Sequence, residues 1–158
     1  MKNLFTLIAL ITVVCGFSQE VKLKKGEVLV DERSWLKYDG CGGFNSNCSL
    51  MISSNKEEII YMNLVKIPGV EPITNFNRTG ELRYIVVKFL GLNSAIELEN
   101  LSFKKIIEII YNSKCVNADG SFDEEKVQRL VQKYGSPFSI RLNKMNQNNN
   151  SSNTIIIK

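Results

Sequence analysis

Histidine is absent from this chain of 158 residues. Its absence excludes Ser-His-Asp and Cys-His catalytic sets, histidine-ligated zinc and histidine-based pH sensing. An enzyme built on this sequence would have to use carboxylates, lysines, tyrosines or a cysteine. We therefore expect a non-enzymatic protein more readily than an enzyme, and no cofactor is predicted.

Dense basic segments are also lacking. The formal net charge is +4, and the most basic stretch, Lys22–Lys25, is interrupted by Leu23. A nucleic-acid-binding groove would need clustered Lys and Arg residues interleaved with aromatic residues. The sequence therefore predicts no nucleic-acid partner.

The longest apolar run is short and lies at the start of the chain. It covers Leu4–Phe17, after a basic start that contains Lys2. A transmembrane helix needs about 20 apolar residues, whereas a shorter run that ends in small residues such as Gly16 and Ser18 is typical of a secretory signal peptide. We predict a cleavable signal peptide over residues 1–18 and no transmembrane segment in the mature chain. The protein is then periplasmic, surface-associated or secreted.

Cysteine is scarce, and its spacing is informative. Cys15 lies inside the predicted signal peptide; its lipidation is disfavoured because Val14, not a small residue, precedes it. An odd number then remains in the mature chain, namely Cys41, Cys48 and Cys115. In an oxidising compartment this predicts one disulfide and one free thiol.

The segment between Cys41 and Cys48 is short and flanked by extended patterns. A disulfide that staples a hairpin is the favoured interpretation; a ligand loop and no bond at all are the alternatives. The candidate binding residues of this loop are Gly42, Gly43, Phe44 and Asn45. Cys115 follows a predicted helix, whose dipole raises the pKa of a thiol, so we expect it to be inert; a disulfide with Cys41, with Cys48 or with another chain is the alternative.

Extended patterns occupy the first two thirds of the chain. The segments Ile59–Ile67 and Leu82–Leu90 are apolar on both faces, which is typical of central strands. Gln19–Lys25 is polar, and we predict a loose arm there. The thirteen residues of Pro68–Gly80 form a long loop, and loops of that length are functional or mobile. Its candidate binding residues are Asn75, Phe76, Asn77 and Arg78.

Helical patterns follow. Ser102 precedes an apolar stripe with helical spacing and predicts a helix that runs to about Ser113. Ser121–Glu124 matches a capping box and predicts a second helix that ends at Gly135. Strands followed by helices indicate an α+β fold: an antiparallel sheet of about five or six strands, then two amphipathic helices packed on one face.

One globular domain is predicted over residues 19–142. The remainder, residues 143–158, is rich in asparagine, and too few of its side chains are apolar to offset the entropy of ordering. We therefore predict a flexible tail, which ends in the short apolar segment Thr154–Lys158.

Two sets of acidic residues are candidates for chemistry. Asn117, Asp119 and Asp123 match three ligand positions of an EF-hand calcium loop, but the first and last ligand positions hold Cys115 and Lys126. A turn followed by a helix cap explains the same residues. Paired carboxylates for hydrolysis are also available at Glu57–Glu58, Glu97 with Glu99, and Glu124–Glu125.

Three segments, residues 16–20, 24–31 and 131–138, resemble small exported proteins of the Bacteroidetes type. Those proteins are uncharacterised, so the resemblance implies a location in the cell envelope but no activity. It covers most of residues 21–142.

These observations support three hypotheses. The favoured one is a non-enzymatic, exported cell-envelope domain that binds another protein or envelope macromolecule through its loops. The first alternative is a histidine-independent enzyme or small-ligand carrier, with residues such as Tyr61 and Tyr84 in a pocket between sheet and helices. The second is a calcium-stabilised module.

Overall fold

Seven strands form one antiparallel sheet in which each strand pairs with the next along the chain. The computed structural model describes residues 20–42, 45–99 and 101–151. Within them the strands are β1 Val21–Lys24, β2 Glu27–Val30, β3 Arg33–Asp39, β4 Asn47–Met51, β5 Glu58–Ile67, β6 Leu82–Phe89 and β7 Ser94–Glu99. The predicted signal peptide lies outside the described residues.

The first strand corrects the prediction of a loose arm. β1 pairs with β2 in a register that sets Val21 opposite Val30, and both side chains are buried. The polar side chains of Lys22 and Lys24 argue locally against a strand. The pairing with β2 supplies the backbone hydrogen bonds, and Val21 supplies the burial. The sheet therefore has seven strands rather than five or six.

The two strands predicted as central are confirmed. β5 pairs with both β4 and β6, and β6 pairs with both β5 and β7. Ile60, Met62 and Val87 are fully buried, as expected of strands inside a sheet. Because hairpin connections alternate between the two ends of such a sheet, the 40–46 loop and the 68–81 loop lie at the same end.

In the part of the chain that the structure describes, three helices follow the sheet: α1 Phe103–Ser113, α2 Glu124–Tyr134 and α3 Pro137–Ser151. The α+β class with an antiparallel sheet is therefore confirmed. α1 has its predicted limits, and the Ser102 side chain caps it by accepting a hydrogen bond from the Lys105 amide at 3.3 Å.

The cap of α2 differs from the prediction. Asp123, not Ser121, is its N-cap and accepts a hydrogen bond from the Lys126 amide at 3.2 Å. A β-bridge between Val116 and Phe122 keeps the backbone extended through the predicted capping box. The helix therefore begins two residues later than a Ser121 cap would place it.

One apolar cluster joins strands and helices. α1 contributes Phe103, Ile106, Ile107 and Ile110, and α2 contributes Val127 and Leu130. The rings of Phe89 in β6 and Phe122, just before α2, meet edge to face with centroids 5.7 Å apart. The core thus draws on both the extended and the helical parts of the chain.

The third helix has no counterpart in the sequence analysis. α3 begins at Pro137, a residue well suited to the first turn of a helix because its φ is already helical and its missing N–H is not needed there. It continues to Ser151 and so includes residues 143–151, for which a flexible tail was predicted. Residues 152–158, and with them Thr154–Lys158, lie outside the described part of the chain. The domain limit at residue 142 stays a prediction.

Candidate functional site

The 68–81 loop, which joins β5 to β6, is held by its own backbone. The amides of Val70 and Glu71 both donate to the carbonyl oxygen of Gly80, at 2.9 and 2.8 Å, and the amide of Gly69 donates to Thr79 at 3.0 Å. Gly80 has a φ of +57°, and a Cβ atom there would collide with the Glu71 carbonyl oxygen. A glycine is therefore required at the base of this loop.

The tip of the loop is a tight turn. Backbone amides and carbonyls of Thr74 and Asn77 bond reciprocally, at 3.1 and 3.2 Å. The Asn77 side chain also bonds both the amide and the carbonyl of Glu81, at 2.8 and 3.0 Å. Asn77 was predicted to bind a partner, but its amide group is engaged inside the loop. Asn75 and Phe76 occupy the two central positions of the turn.

Two large apolar side chains of this loop face solvent. The relative exposure of Phe76 is 102% and that of Ile73 is 77%. The nearby residues Asn75 and Arg78 are exposed as well. Most apolar side chains of this size pack against other residues, so an ordered loop that leaves two of them in water is a candidate contact surface.

A cavity of about 540 Å³ lies beside the loop. It is lined by Glu71, Pro72, Thr74, Phe76, Asn77, Glu81, Leu82, Arg83 and Glu99. Two of its carboxylates are paired, Glu81 with Arg83 and Glu71 with Arg141 of α3 at 2.5 Å. The second pair connects the base of the loop to α3.

Glu97, which the sequence offered with Glu99 as a candidate carboxylate pair for hydrolysis, is buried. Its side chain is only 5% exposed. Its oxygen Oε2 accepts hydrogen bonds from the amides of Phe138 and Ser139, at 2.8 and 3.1 Å, and Oε1 accepts one from the Ser139 hydroxyl. Glu97 thus holds the first turn of α3, where the helix dipole favours negative charge. These bonds occupy both oxygens, so Glu97 is committed to structure rather than to hydrolysis with Glu99.

The predicted pair Cys41 and Cys48 is found as a disulfide, with Cα atoms 4.4 Å apart. Both residues are buried. Of the four candidate binding residues between them, Gly43 and Phe44 lie outside the described residues. Gly42 and Asn45 are exposed, and the Asn45 amide donates to the Gly42 carbonyl at 3.1 Å.

The disulfide loop borders a second cavity of about 260 Å³ at the start of α1. Its walls include Leu64, Ile85, Leu101 and Phe103. Both predicted binding loops therefore border cavities at the same end of the sheet, although they line different ones.

The segment compared with a calcium loop is closed by its own hydrogen bonds. Asn117 and Asp119 both bond Ser121, while Asp123 caps α2 and forms an ion pair with Lys126 at 2.5 Å. The bonds from Ser121 lower the pKa of Asp119, and those from Lys126 lower the pKa of Asp123. Among the described residues, no three acidic, cysteine or histidine side chains are arranged to hold a metal ion.

Gly120 in this segment also has a structural explanation. Its φ is +90°, and a Cβ atom there would collide with the side chain of Ile52. The glycine is therefore needed for packing, independently of any ion.

Neither cysteine chemistry nor tyrosine chemistry is favoured by the surroundings. Cys115 is a free, buried thiol; burial raises its pKa, and its sulfur lies 3.8 Å from the Ile110 carbonyl oxygen that it donates to. Tyr84 is buried and stacks on Phe138 with centroids 4.8 Å apart, whereas Tyr61 is half-buried on the same strand pair. Neither Tyr61 nor Tyr84 lines the cavity beside the 68–81 loop or the cavity beside the disulfide loop.

Comparison with protein-family models, with curated proteins and with solved structures finds no match to this chain. In the described part of the chain, no helix is both long enough and apolar enough to cross a membrane.

Proposed function

We propose that this protein is a non-enzymatic, exported domain of the cell envelope that binds another macromolecule through its loops. The observation that carries the proposal is the solvent exposure of Ile73 and Phe76 on the 68–81 loop. Large apolar side chains that are exposed together mark interaction sites more often than single exposed ones do. Because the loop is already ordered by its own hydrogen bonds, little conformational entropy is lost when a partner binds.

Three features support export from the cytoplasm. The pattern of residues 1–18 is that of a secretory signal peptide. The Cys41–Cys48 disulfide is of the kind that forms and persists in oxidising compartments. The resemblance to Bacteroidetes-type exported proteins supports export as well.

We further infer that α1 and α2 pack on one face of the sheet. Val87 of β6 and Ile96 of β7 are directly paired and therefore lie on the same face. They belong to the same buried cluster as Ile106 of α1 and Val127 of α2. Helices on a face leave the end of the sheet, with its loops, open to a macromolecule.

A site-specific cross-linking experiment tests the proposal. The photoreactive residue p-benzoylphenylalanine replaces Phe76, which preserves an aromatic ring at the tip, and the purified protein is irradiated in envelope extract from the source cells. We expect one discrete adduct that excess unmodified protein suppresses. Excess Phe76→Ala protein should not suppress it, because that variant lacks the contact residue.

Ile140 supplies the matched control, since it is a large apolar residue that is also exposed but lies on α3. The same photoreactive residue at position 140 should give no such adduct. An equal adduct from both positions, or suppression by Phe76→Ala as strong as by the unmodified protein, would show that the loop is not the binding surface.

A further inference from the structure

A third cavity, of about 420 Å³, lies beside the β2–β3 turn. It is lined by Val30, Asp31, Arg33, Ser34, Trp35 and Tyr111. Because connections alternate between the ends of the sheet, this turn is at the end opposite the 68–81 loop. None of the lining residues was singled out as a binding residue by the sequence.

The cavity has an aromatic wall. The rings of Trp35 in β3 and Tyr111 in α1 meet edge to face, with centroids 4.9 Å apart and an interplanar angle of 78°. Both residues pack against the apolar core, so the wall is in place before any ligand arrives.

A β-bulge accounts for the position of Trp35. The β2–β3 register pairs Val28 with Leu36 and Leu29 with Ser34, which leaves Trp35 as the extra residue of β3. Bulges of this kind re-aim side chains and occur next to binding sites.

The polar residues of the cavity lie in the β2–β3 turn and at the start of β3. Asp31 has a φ of +48°, and its Oδ1 accepts a hydrogen bond from the Glu20 amide at 3.1 Å. In the described part of the chain, Asp31 Oδ2 and the side chains of Arg33 and Ser34 have no hydrogen-bond or ion-pair partner. A carboxylate oxygen, a guanidinium group and a hydroxyl are therefore available around the aromatic wall.

The balance of charge restricts the ligand. The carboxylate of Asp31 would repel an anion, and the guanidinium of Arg33 would repel a cation. The cavity as a whole therefore does not favour the binding of a ligand of either charge. A neutral ligand with an apolar surface and several hydroxyl groups suits it better. The apolar surface can pack on the aromatic wall while the hydroxyls donate to Asp31 and accept from Arg33.

We propose that the cavity formed by Trp35, Tyr111, Asp31, Arg33 and Ser34 binds a neutral carbohydrate. The C–H face of a sugar ring lies against the aromatic wall, and its hydroxyls replace the water on the three polar side chains. This site is independent of the macromolecule-binding surface proposed above, since it uses other residues at the other end of the sheet.

Tryptophan fluorescence tests the proposal, because Trp35 is the only tryptophan in the chain. The protein is titrated with the neutral disaccharides cellobiose, maltose and N,N′-diacetylchitobiose, and with glucuronic acid and glucosamine as charged probes. We expect a saturable change with at least one neutral disaccharide and weaker binding of both charged sugars. No saturable change with any of the three disaccharides, or tighter binding of a charged sugar, would overturn the proposal.

Two variants that keep Trp35 locate the binding. Arg33→Ala removes the guanidinium donors, and Asp31→Asn removes the charge while keeping a carbonyl for Glu20 and a residue that tolerates positive φ. Arg33→Ala should weaken binding about tenfold, the effect of losing one hydrogen bond to a charged group; Asp31→Asn should weaken it several-fold.

Arg83→Ala and Phe76→Ala are the matched controls, since both residues are exposed but lie near the other end of the sheet. Neither should change sugar affinity. Unchanged affinity in both cavity variants would contradict the proposed site, while the cross-linking result at position 76 would stand on its own.

Discussion

Cys115 illustrates how the surroundings of one residue set its chemistry. The sequence places it just after α1, at the negative end of the helix dipole, and predicts an inert thiol. In the structure the largest cause of its raised pKa is burial, which disfavours the thiolate. The direction was predictable from the sequence, whereas the dominant cause depends on the residues of other elements that exclude water from the sulfur.

A pH dependence follows from the raised pKa of Cys115. In the unfolded chain the thiol ionises near its ordinary value of 9.0, but in the folded protein it stays protonated to higher pH. The contribution of this protonated thiol to the free energy of unfolding is therefore fully present below about pH 9, and it is lost as the pH rises through the pKa of the folded protein. We expect urea midpoints of the wild type to fall relative to those of Cys115→Ala above pH 9. Parallel curves for the two proteins up to pH 10.5 would contradict this expectation.

At the scale of elements, α3 depends on contacts from the sheet. Asparagine-rich sequence does not favour a helix by its own propensity. The start of α3 is held by the carboxylate of Glu97, by the stacking of Phe138 on Tyr84, and by the ion pair from Arg141 to Glu71. All three partners lie in the sheet or its 68–81 loop, so the helix and the loop are joined through the same residues.

Removal of the Glu97 carboxylate should release the start of α3. Glu97→Ala leaves two partly buried amides and a hydroxyl without their acceptor, and we expect a loss of about 1.5–3 kcal/mol in the free energy of unfolding. Glu97→Gln keeps one carbonyl oxygen and should cost less. Glu99→Gln is the matched control, because Glu99 is exposed on the same strand. Urea unfolding measures all three; equal stabilities of Glu97→Ala and Glu99→Gln would refute the role assigned to Glu97.

At the scale of the whole molecule, both the strand pairings and the disulfide join parts of the chain that are close in sequence. Every strand pairs with its neighbour in sequence, so most sheet contacts close short loops. The Cys41–Cys48 disulfide also closes a short loop, between β3 and β4. It therefore adds a covalent constraint to a hairpin that the sheet already forms.

Reduction of this disulfide should destabilise the protein without unfolding it. In the chain-entropy model a loop of about eight residues contributes about 2.5 kcal/mol. We expect dithiothreitol to lower the urea midpoint of the wild type and to leave that of a Cys41→Ala, Cys48→Ala double variant unchanged. A wild type insensitive to dithiothreitol, with both thiols shown to be free by mass, would mean that the bond is not a determinant of stability.

The sequence alone determined features that depend on local periodicity and on short-range chemistry. Runs that are apolar on both faces specified β5 and β6, helical spacing and Ser102 specified α1, and the short separation of Cys41 from Cys48 indicated their pairing. These features are readable because the interacting atoms lie within a few residues of each other.

Only the tertiary structure decided the features that join distant segments. The pairing of β1 with β2, the capping of α3 by Glu97, and the meeting of Trp35 with Tyr111 each required residues brought together by the fold. Polar side chains in β1 and asparagines in α3 argue locally against regular structure. The backbone pairing of β1 with β2 and the buried carboxylate of Glu97 outweigh that local preference. Neither can be predicted from the local sequence, because each depends on a partner from another segment of the chain.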